Sequence, residues 1–476
     1  MVNAMKKFST LFMLALMSSG MFAVPTYLVQ TGYDSDAKWS SSVVTATGAQ
    51  LVDLRVSGQE LDEWINTTTG CEIWLAAGTY YVNAGMTAVL NYQLYGGFAG
   101  TESALDDRIS DGWQFANPTI IDGDSHRIVL DGKNVQGTTW NGLTFRNSQG
   151  NNGGVARLHT NSRIENCLFV SNTASNQGGV LQTYNGNNIV VSGCCFENNK
   201  GVQGGAIYVN NAANNTYTVN GCSFKNNEAT GTANAGGAIH CQGKGIMQIN
   251  ACVFDGNKAA GNGDAVSSDI KADAAAKTSI TNCLLFDQSG QKHAVYLAEG
   301  VIYNCTFANN AGGAVYTAGT DLKTIANNII WGVNAEECRL ALADNANTSL
   351  KNNAIGKMIT YENMVQENNV EIDTLHTTYF KDVALKDFHL TASATAMIGA
   401  GLDLSTDGVT TDLAGDSRTA GSYDIGCYIY VEEEPTGCEN VTTERMDGIR
   451  YNLQGQRVGE DYHGIVIMDG KKYLQQ

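Results

Sequence analysis

The sequence predicts an all-β solenoid, a chain wound into stacked coils, and three observations predict it. The first is a repeated unit: a Cys, one or two residues, a Phe, then Asn-rich polar residues. It stands at Cys167-Leu-Phe169, Cys194-Cys-Phe196, Cys222-Ser-Phe224, Cys252-Val-Phe254, Cys283-Leu-Leu-Phe286 and Cys305-Thr-Phe307. The second is slack in the period. Successive cysteines lie 27, 28, 30, 31 and 22 residues apart, as they do when loops vary in length and core positions stay in register. The third is composition. Gly numbers 53, Pro 3, and charged residues are 16% of the 476, which suits a turn-rich, weakly charged β-protein better than a helical or disordered one.

Taken in order, residues 1–23 read as a secretory signal: Lys6-Lys7, an apolar run from Phe8 to Met17, and small residues ending at Ala23. No later stretch is long and apolar enough to cross a membrane as a helix. Residues 24–66 read as an N-terminal strand and cap, with Leu61, Trp64 and Ile65 on one face of a short helix within Gln59 to Asn66. A cap is required because an open coil end exposes core and unpaired strand edges. The solenoid is expected over 67–430. Its opening strands are Glu72–Leu75, Thr79–Val82, Tyr92–Tyr95, Thr119–Ile121 and Arg127–Leu130, with Gly96-Gly97 and Asp122-Gly123 as turns.

The regular coils run from Trp140 to Trp331. Leu143 and Phe145 stand for Cys and Phe in the first of them, Ile329 and Trp331 in the last. Apolar replacement of Cys marks an interior position. The Asn that follows each Phe (Asn172, Asn199, Asn227, Asn257, Asn310) is expected to take the left-handed turn and to stack its amide on the next coil's. Stacked cysteines stand about 4.8 Å apart with parallel Cβ vectors. A disulfide needs Cβ atoms roughly 3.8 Å apart and facing. The ladder is therefore expected as buried free thiols, whereas Cys71, Cys338, Cys427 and Cys438 are freer to pair.

A Gly-Gly step recurs at Gly153, Gly178, Gly204, Gly236 and Gly312, with degenerate forms at Gly263-Asp264 and Lys292-His293. In the strand that follows, the third residue is always apolar (Ala156, Leu181, Ile207, Ile239, Val266, Val295, Val315) and points inward by the period of two. The small second residues, from Val155 to Ala314, and the fourth residues are then expected outside. The fourth reads Arg157, Gln182, Tyr208, His240, Ser267, Tyr296, Tyr316. Coils about 4.8 Å apart would make it an outward aromatic-polar ladder matched to a glycan's advance of about 5 Å per sugar. Tyr offers such rings an apolar face and a hydroxyl. Arg157, Gln182, Tyr208, His240, Tyr296 and Tyr316 are the candidate ligand-binding residues. A purely structural ladder under loops is the competing reading.

These residues resemble the right-handed parallel β-helix family of secreted bacterial proteins, the pectate-lyase-like solenoids, and the "GGAI" and "FxxN" repeats of chlamydial polymorphic outer-membrane proteins. Ile73 to Tyr80 and Leu94 to Ser103 resemble the opening coils of long secreted Bacteroidota β-helix proteins; Asn327 to Gly332 and Asp412 to Tyr428 resemble their closing coils. Cys427 departs from the Ala usual there. After an acidic linker, 431–440, residues 441–476 look like a small β-sandwich sorting tail of the type IX secretion kind. The resemblance implies export, with export machinery as a partner, and surface attachment or release. About forty residues after Val431 are too few for the membrane barrel of autotransporter-type relatives.

A net charge of −18 argues against nucleic acid as partner and against a bare polyanion, unless calcium bridges the two. Asp122, Asp124 and Asp131 form the best acidic cluster, with Asp106 and Asp107 upstream; no cofactor is expected, and calcium is the cation that cluster would suit. Asp also closes glycine turns, and that reading comes first. No pair of carboxylates or basic proton acceptor recurs on the outward positions, so the sequence leans away from a lyase or glycosidase. The expectation is a secreted or cell-surface scaffold, adhesive or glycan-binding. A polysaccharide lyase or hydrolase and a structural surface protein without a ligand are the alternatives.

Overall fold

The computed structural model describes residues 26–31, 36–68, 70–87, 92–130, 137–212, 215–233, 235–270, 277–374, 376–432, 450–451, 457–459, 464–468 and 471–475. The chain divides into two compact units, Met1–Tyr430 and Val431–Gln476. The first is a right-handed parallel β-helix of about 12 turns. A representative coil passes through Thr216–Asn220 (sheet A), Ser223–Lys225 (sheet B), Glu228–Ala229 (sheet C) and Ile239–Gly243 (sheet D), and re-enters sheet A at Ile246–Asn250. Among the described residues, sheets A, B, C and D hold 14, 12, 5 and 8 strands. The second unit contains a four-stranded antiparallel sheet in the order Arg457–Val458, Arg450–Tyr451, Gly464–Met468, Lys471–Gln475.

Like side chains lie over like. Phe145, Phe169, Phe196, Phe224 and Phe254 form one buried column, with ring centroids 4.8–5.2 Å apart and planes within 11° of parallel. Beside it Asn172, Asn199, Asn227 and Asn257 are buried as an amide ladder: Asn172 Oδ1 accepts from Ser148 N, and each later Oδ1 accepts from the backbone N–H and Nδ2 of the Asn one coil earlier. These asparagines do not take the left-handed conformation expected of them. The residue before each does: Ser171 (φ 56°), Asn198 (φ 55°), Asn226 (φ 53°) and Gly256 (φ 67°) make the corner, which turns the following amide into the core.

Register corrects the expected columns at their far end. Leu285, not Phe286, lies opposite Phe254, and Gln288 occupies the Asn position, its Oε1 accepting from Asn257. Phe286 faces outward onto Phe388. Ile329 pairs with Thr306 and Ile330 with Phe307, so Asn328 and Ile330, not Ile329 and Trp331, continue the Cys and Phe columns. Asn328 Oδ1 accepts from Cys305 N at 2.8 Å. The small second residues are corrected too. Val155, Val180, Ala206, Ala238, Ala265, Ala294 and Ala314 lie in the core, because the chain bends there and aims two successive side chains inward.

The ladder cysteines are free and buried. From Cys194 to Cys305, each Sγ reaches the carbonyl two residues earlier at 3.2–3.4 Å. Burial pushes the Cys194, Cys222, Cys252 and Cys283 thiols well above the ordinary range, which removes the reactive thiolate. Cys71, Cys338 and Cys427 are also unpaired; Cys438 lies outside the described residues. Iodoacetamide in native buffer without reductant should leave every ladder cysteine unmodified by peptide mass mapping, and denaturant should expose them all. Modification of Cys222 or Cys252 in the native state would contradict the column.

Helices Leu54–Ser57 and Leu61–Ile65 close the N-terminal end with Leu54, Leu61 and Ile65, and Trp64 is half-buried. The closing segment packs Phe380, Phe388, Leu390, Met397 and Ile425 against the outer side of sheet B. Arg418 fastens it, donating to Asn282 Oδ1 and to the Thr411, Asp424 and Gly426 carbonyls. Among the described residues, no helix is long and apolar enough to cross a membrane.

Candidate functional site

The outward face of sheet D gathers the candidate residues. Register places Arg157, Gln182, Tyr208, His240, Ser267, Tyr296 and Tyr316 in one unbroken column across seven coils. Tyr208 and His240 stand 5.6 Å apart, and Tyr296 and Tyr316 are stacked at 5.5 Å and 15°. The expected column exists.

Its accessibility differs from the expectation. Gln182, Tyr208, His240 and Ser267 are 0–2% exposed and Tyr296 is 9% exposed; Arg157 is half-buried and Tyr316 is 41% exposed. The Gly-Gly step is the physical reason. A Cβ on Gly204 would stand 2.1 Å from the Ile207 carbonyl oxygen, and one on Gly205 would stand 2.0 Å from the Gly237 oxygen. Lacking side chains, these segments lie flat on the strand they enter and on the next coil. They carry Gln177, bonded to Gln203, to the Tyr208 hydroxyl. The middle of the column is therefore covered.

Burial sets the electrostatics. It pushes the Tyr208 phenol up to about 12, and the Tyr296 phenol to about 12 with Asp269 adding to the shift. It pulls the His240 imidazole down to about 4. His240 is thus neutral at pH 7, with Gln242 and the Ser267 backbone opposing the shift.

A second outward row lies two residues further along each strand, and sequence reading missed it. Tyr184 pairs with Asn210 and Asn210 with Gln242. Tyr184 is 46% exposed, with the Arg157 guanidinium 5.5 Å from its ring centroid, while Asn210 and Gln242 are half-buried. The period of two that found the first row also reaches this one. Accessible side chains thus stand at Tyr184 with Arg157, at Asn210 and Gln242, and again at Tyr316, with Ser267 and Tyr296 buried on the two coils between. Tyr184 and Tyr316 are five coils apart, about 24 Å at strand spacing.

The acidic cluster acts as a turn. Asp122 accepts from Arg146 Nε at 2.6 Å, from Asn147 Nδ2, and from Asp124 N at 3.0 Å, which closes the turn at Asp124 (φ 40°). Asp124 is exposed and Asp131 lies outside the described residues. Upstream, Asp107 accepts from Ser103 N and Ala104 N, and Arg108 donates to Gly96 O. Among the described residues, no three His, Cys, Asp or Glu side chains converge as a metal-holding group.

The model for the Chlamydia polymorphic membrane protein repeat matches residues 193–210 and 221–242. Those stretches hold Cys194, Phe196 and Gly204-Gly205, then Cys222, Phe224 and Gly236-Gly237. Similar solved structures include a tailspike protein of E. coli bacteriophage HK620, at 13% identity and TM-score 0.35, covering 67% of this chain and 64% of the tailspike. This chain thus spans less than two thirds of that tailspike's length. Another is the catalytic unit of an alpha-1,3-glucanase from Streptomyces thermodiastaticus, at 13% identity and TM-score 0.32, covering 75% and 71%. A third is the mannuronan C-5 epimerase A-module of Azotobacter vinelandii, at 10% identity and TM-score 0.28, covering 72% and 96%. No curated protein matches the chain.

Proposed function

We propose that the chain is a secreted or cell-surface β-helix scaffold that binds an extended glycan lengthwise along sheet D without cleaving it. One observation carries the reading: outward aromatic and amide side chains in two stretches of sheet D, Tyr184 with Asn210 and Gln242 and then Tyr316, with an accessible tyrosine at each end, Tyr184 at 46% and Tyr316 at 41% exposure. Tyr rings stack on the apolar faces of sugars, and Asn and Gln amides match their hydroxyls as donors and acceptors. The covered residues Tyr208 and His240 hold the floor beneath this path. Export is supported by the signal-like residues 1–23 and by the tail, 441–476, which resembles a type IX sorting domain of Bacteroidota proteins.

A glycan array with the folded chain tests the reading. Wild type is expected to bind extended oligosaccharides, and Tyr184→Ala with Tyr316→Ala to weaken that binding about tenfold, near the worth of two aromatic contacts. Incubation with the bound polymer should release no new reducing ends. Equal binding by the double variant removes the proposed path, and release of reducing ends replaces the scaffold with an enzyme.

A further inference from the structure

The tyrosine column of sheet D ends abruptly. Tyr296 stacks beneath Tyr316 at 5.5 Å and 15°, but the residue in register on the next coil is Ala341. A methyl group cannot cover a phenol ring, so the face of Tyr316 away from Tyr296 is left as a one-ring platform on a residue that is 41% exposed. The His293 ring packs against it, and Arg339 stands beside His293. The His293 ring lies 5.6 Å from the Tyr316 ring, is 9% exposed, and its Nε2 meets no hydrogen-bond partner among the described residues. Arg339 is held by Nη2 donating to the Gly312 carbonyl at 2.7 Å. Its Nη1 stands 3.6 Å from Glu336, on a side chain 42% exposed. Gly313 brings the two together: a Cβ there would lie 3.0 Å from both Arg339 Cβ and His293 Cδ2.

We propose that Tyr316 and Arg339, with the buried His293 ring packed between their bases, form a terminal subsite for one acidic sugar ring, a uronic acid or similar carboxylated pyranose, at the end of the glycan bound along sheet D. The ring stacks on the open face of Tyr316. Its carboxylate pairs with the guanidinium, whose planar fork suits a carboxylate. Glu336 holds the guanidinium loosely when no ligand is present and is displaced by the incoming carboxylate. One guanidinium suits one acidic unit better than a run of them. The overall charge of −18 opposes a polyanion in the same sense.

The inference rests on glycan binding along sheet D, and the test separates the two. Titration calorimetry compares a neutral oligosaccharide found on the array with the same oligosaccharide ending in a uronic acid. The acid-ended form is expected to bind wild type about tenfold tighter. Arg339→Gln should abolish that preference and keep the neutral affinity, and Glu336→Gln should widen the preference; a melting scan of each variant controls for folding. Binding of both ligands alike by wild type, or a preference that survives Arg339→Gln, overturns the subsite and leaves the scaffold reading standing. A chain that binds neither ligand overturns the scaffold reading itself.

Discussion

Asn227→Ala is expected to cost the solenoid about 2–6 kcal/mol, at about 1–3 kcal/mol for each of two buried polar groups left without the amide's hydrogen bond. Asn227 Oδ1 accepts from Asn199 N at 3.1 Å and from Asn199 Nδ2 at 3.0 Å. Its Nδ2 donates to the Phe196 carbonyl at 2.9 Å and to Asn257 Oδ1 at 3.0 Å. Removing the amide strands the Asn199 N–H and the Phe196 carbonyl in a place no water reaches, and breaks the ladder between coils. Gln288 already occupies the equivalent position two coils on, with Nε2 donating to the Phe254 and Phe286 carbonyls. Asn227→Gln should therefore retain most of the stability that Asn227→Ala loses. Urea denaturation followed by tryptophan fluorescence measures both. A loss under about 1 kcal/mol for Asn227→Ala would mean that the amides are incidental and that the Phe column alone sets the register.

That ladder shows what the sequence made legible and where it stopped. A β-helix repeats its environment once per coil, so the Cys, Phe, Asn and Gly-Gly positions each recur in the chain, and recurrence exposed the columns. Leu285 and Gln288 broke the literal pattern while keeping the spacing of two and five residues from Cys283. Counting from the Cys, in place of looking for the next Phe, would have placed both. The left-handed corners were assigned one residue late because Asn is frequent on both sides of them, as at Asn198-Asn199 and Asn226-Asn227. The outward face of sheet D was legible as a column, but its covering was not. Whether a side chain that points away from the core meets solvent depends on how the joining segments lie, and the glycines that flatten them were read only as turns. Tyr316 stays open because the column ends in Ala341, a pairing fixed by coil register across a joint of unequal loop length.

Raising the pH from 4 to 8 is expected to destabilise the wild-type chain relative to Asp264→Asn by up to about 4 kcal/mol, at 1.36 kcal/mol per pKa unit. Asp264 stands where other coils have the second glycine of the Gly-Gly step, and its carboxyl is buried. One oxygen accepts from Ala259 N and the other from Lys292 N, each at 2.9 Å, and Gly290 leaves the space the carboxyl fills. Burial raises the group from 3.8 to about 7, against the two amide donors and the Lys292 charge, which all favour the anion. A folded value above the unfolded one means that the native state holds the proton more tightly. The contribution is then fully present below about 3.8 and is lost as pH climbs through about 7. His240 and His293, both pulled down to about 4 by burial, act in the opposite sense, losing stability as pH falls from 6.5 through 4. A melting curve of wild type alone mixes the two trends. The difference between wild type and Asp264→Asn cancels the histidines, since both chains carry them, and it also absorbs the constant cost of leaving one backbone amide without a charged acceptor. That difference should favour Asn increasingly from about pH 4 and level off above about pH 8. A difference that stays flat from pH 4 to 8 would mean that the two amides hold the carboxylate ionised throughout, as they do in a solvated turn.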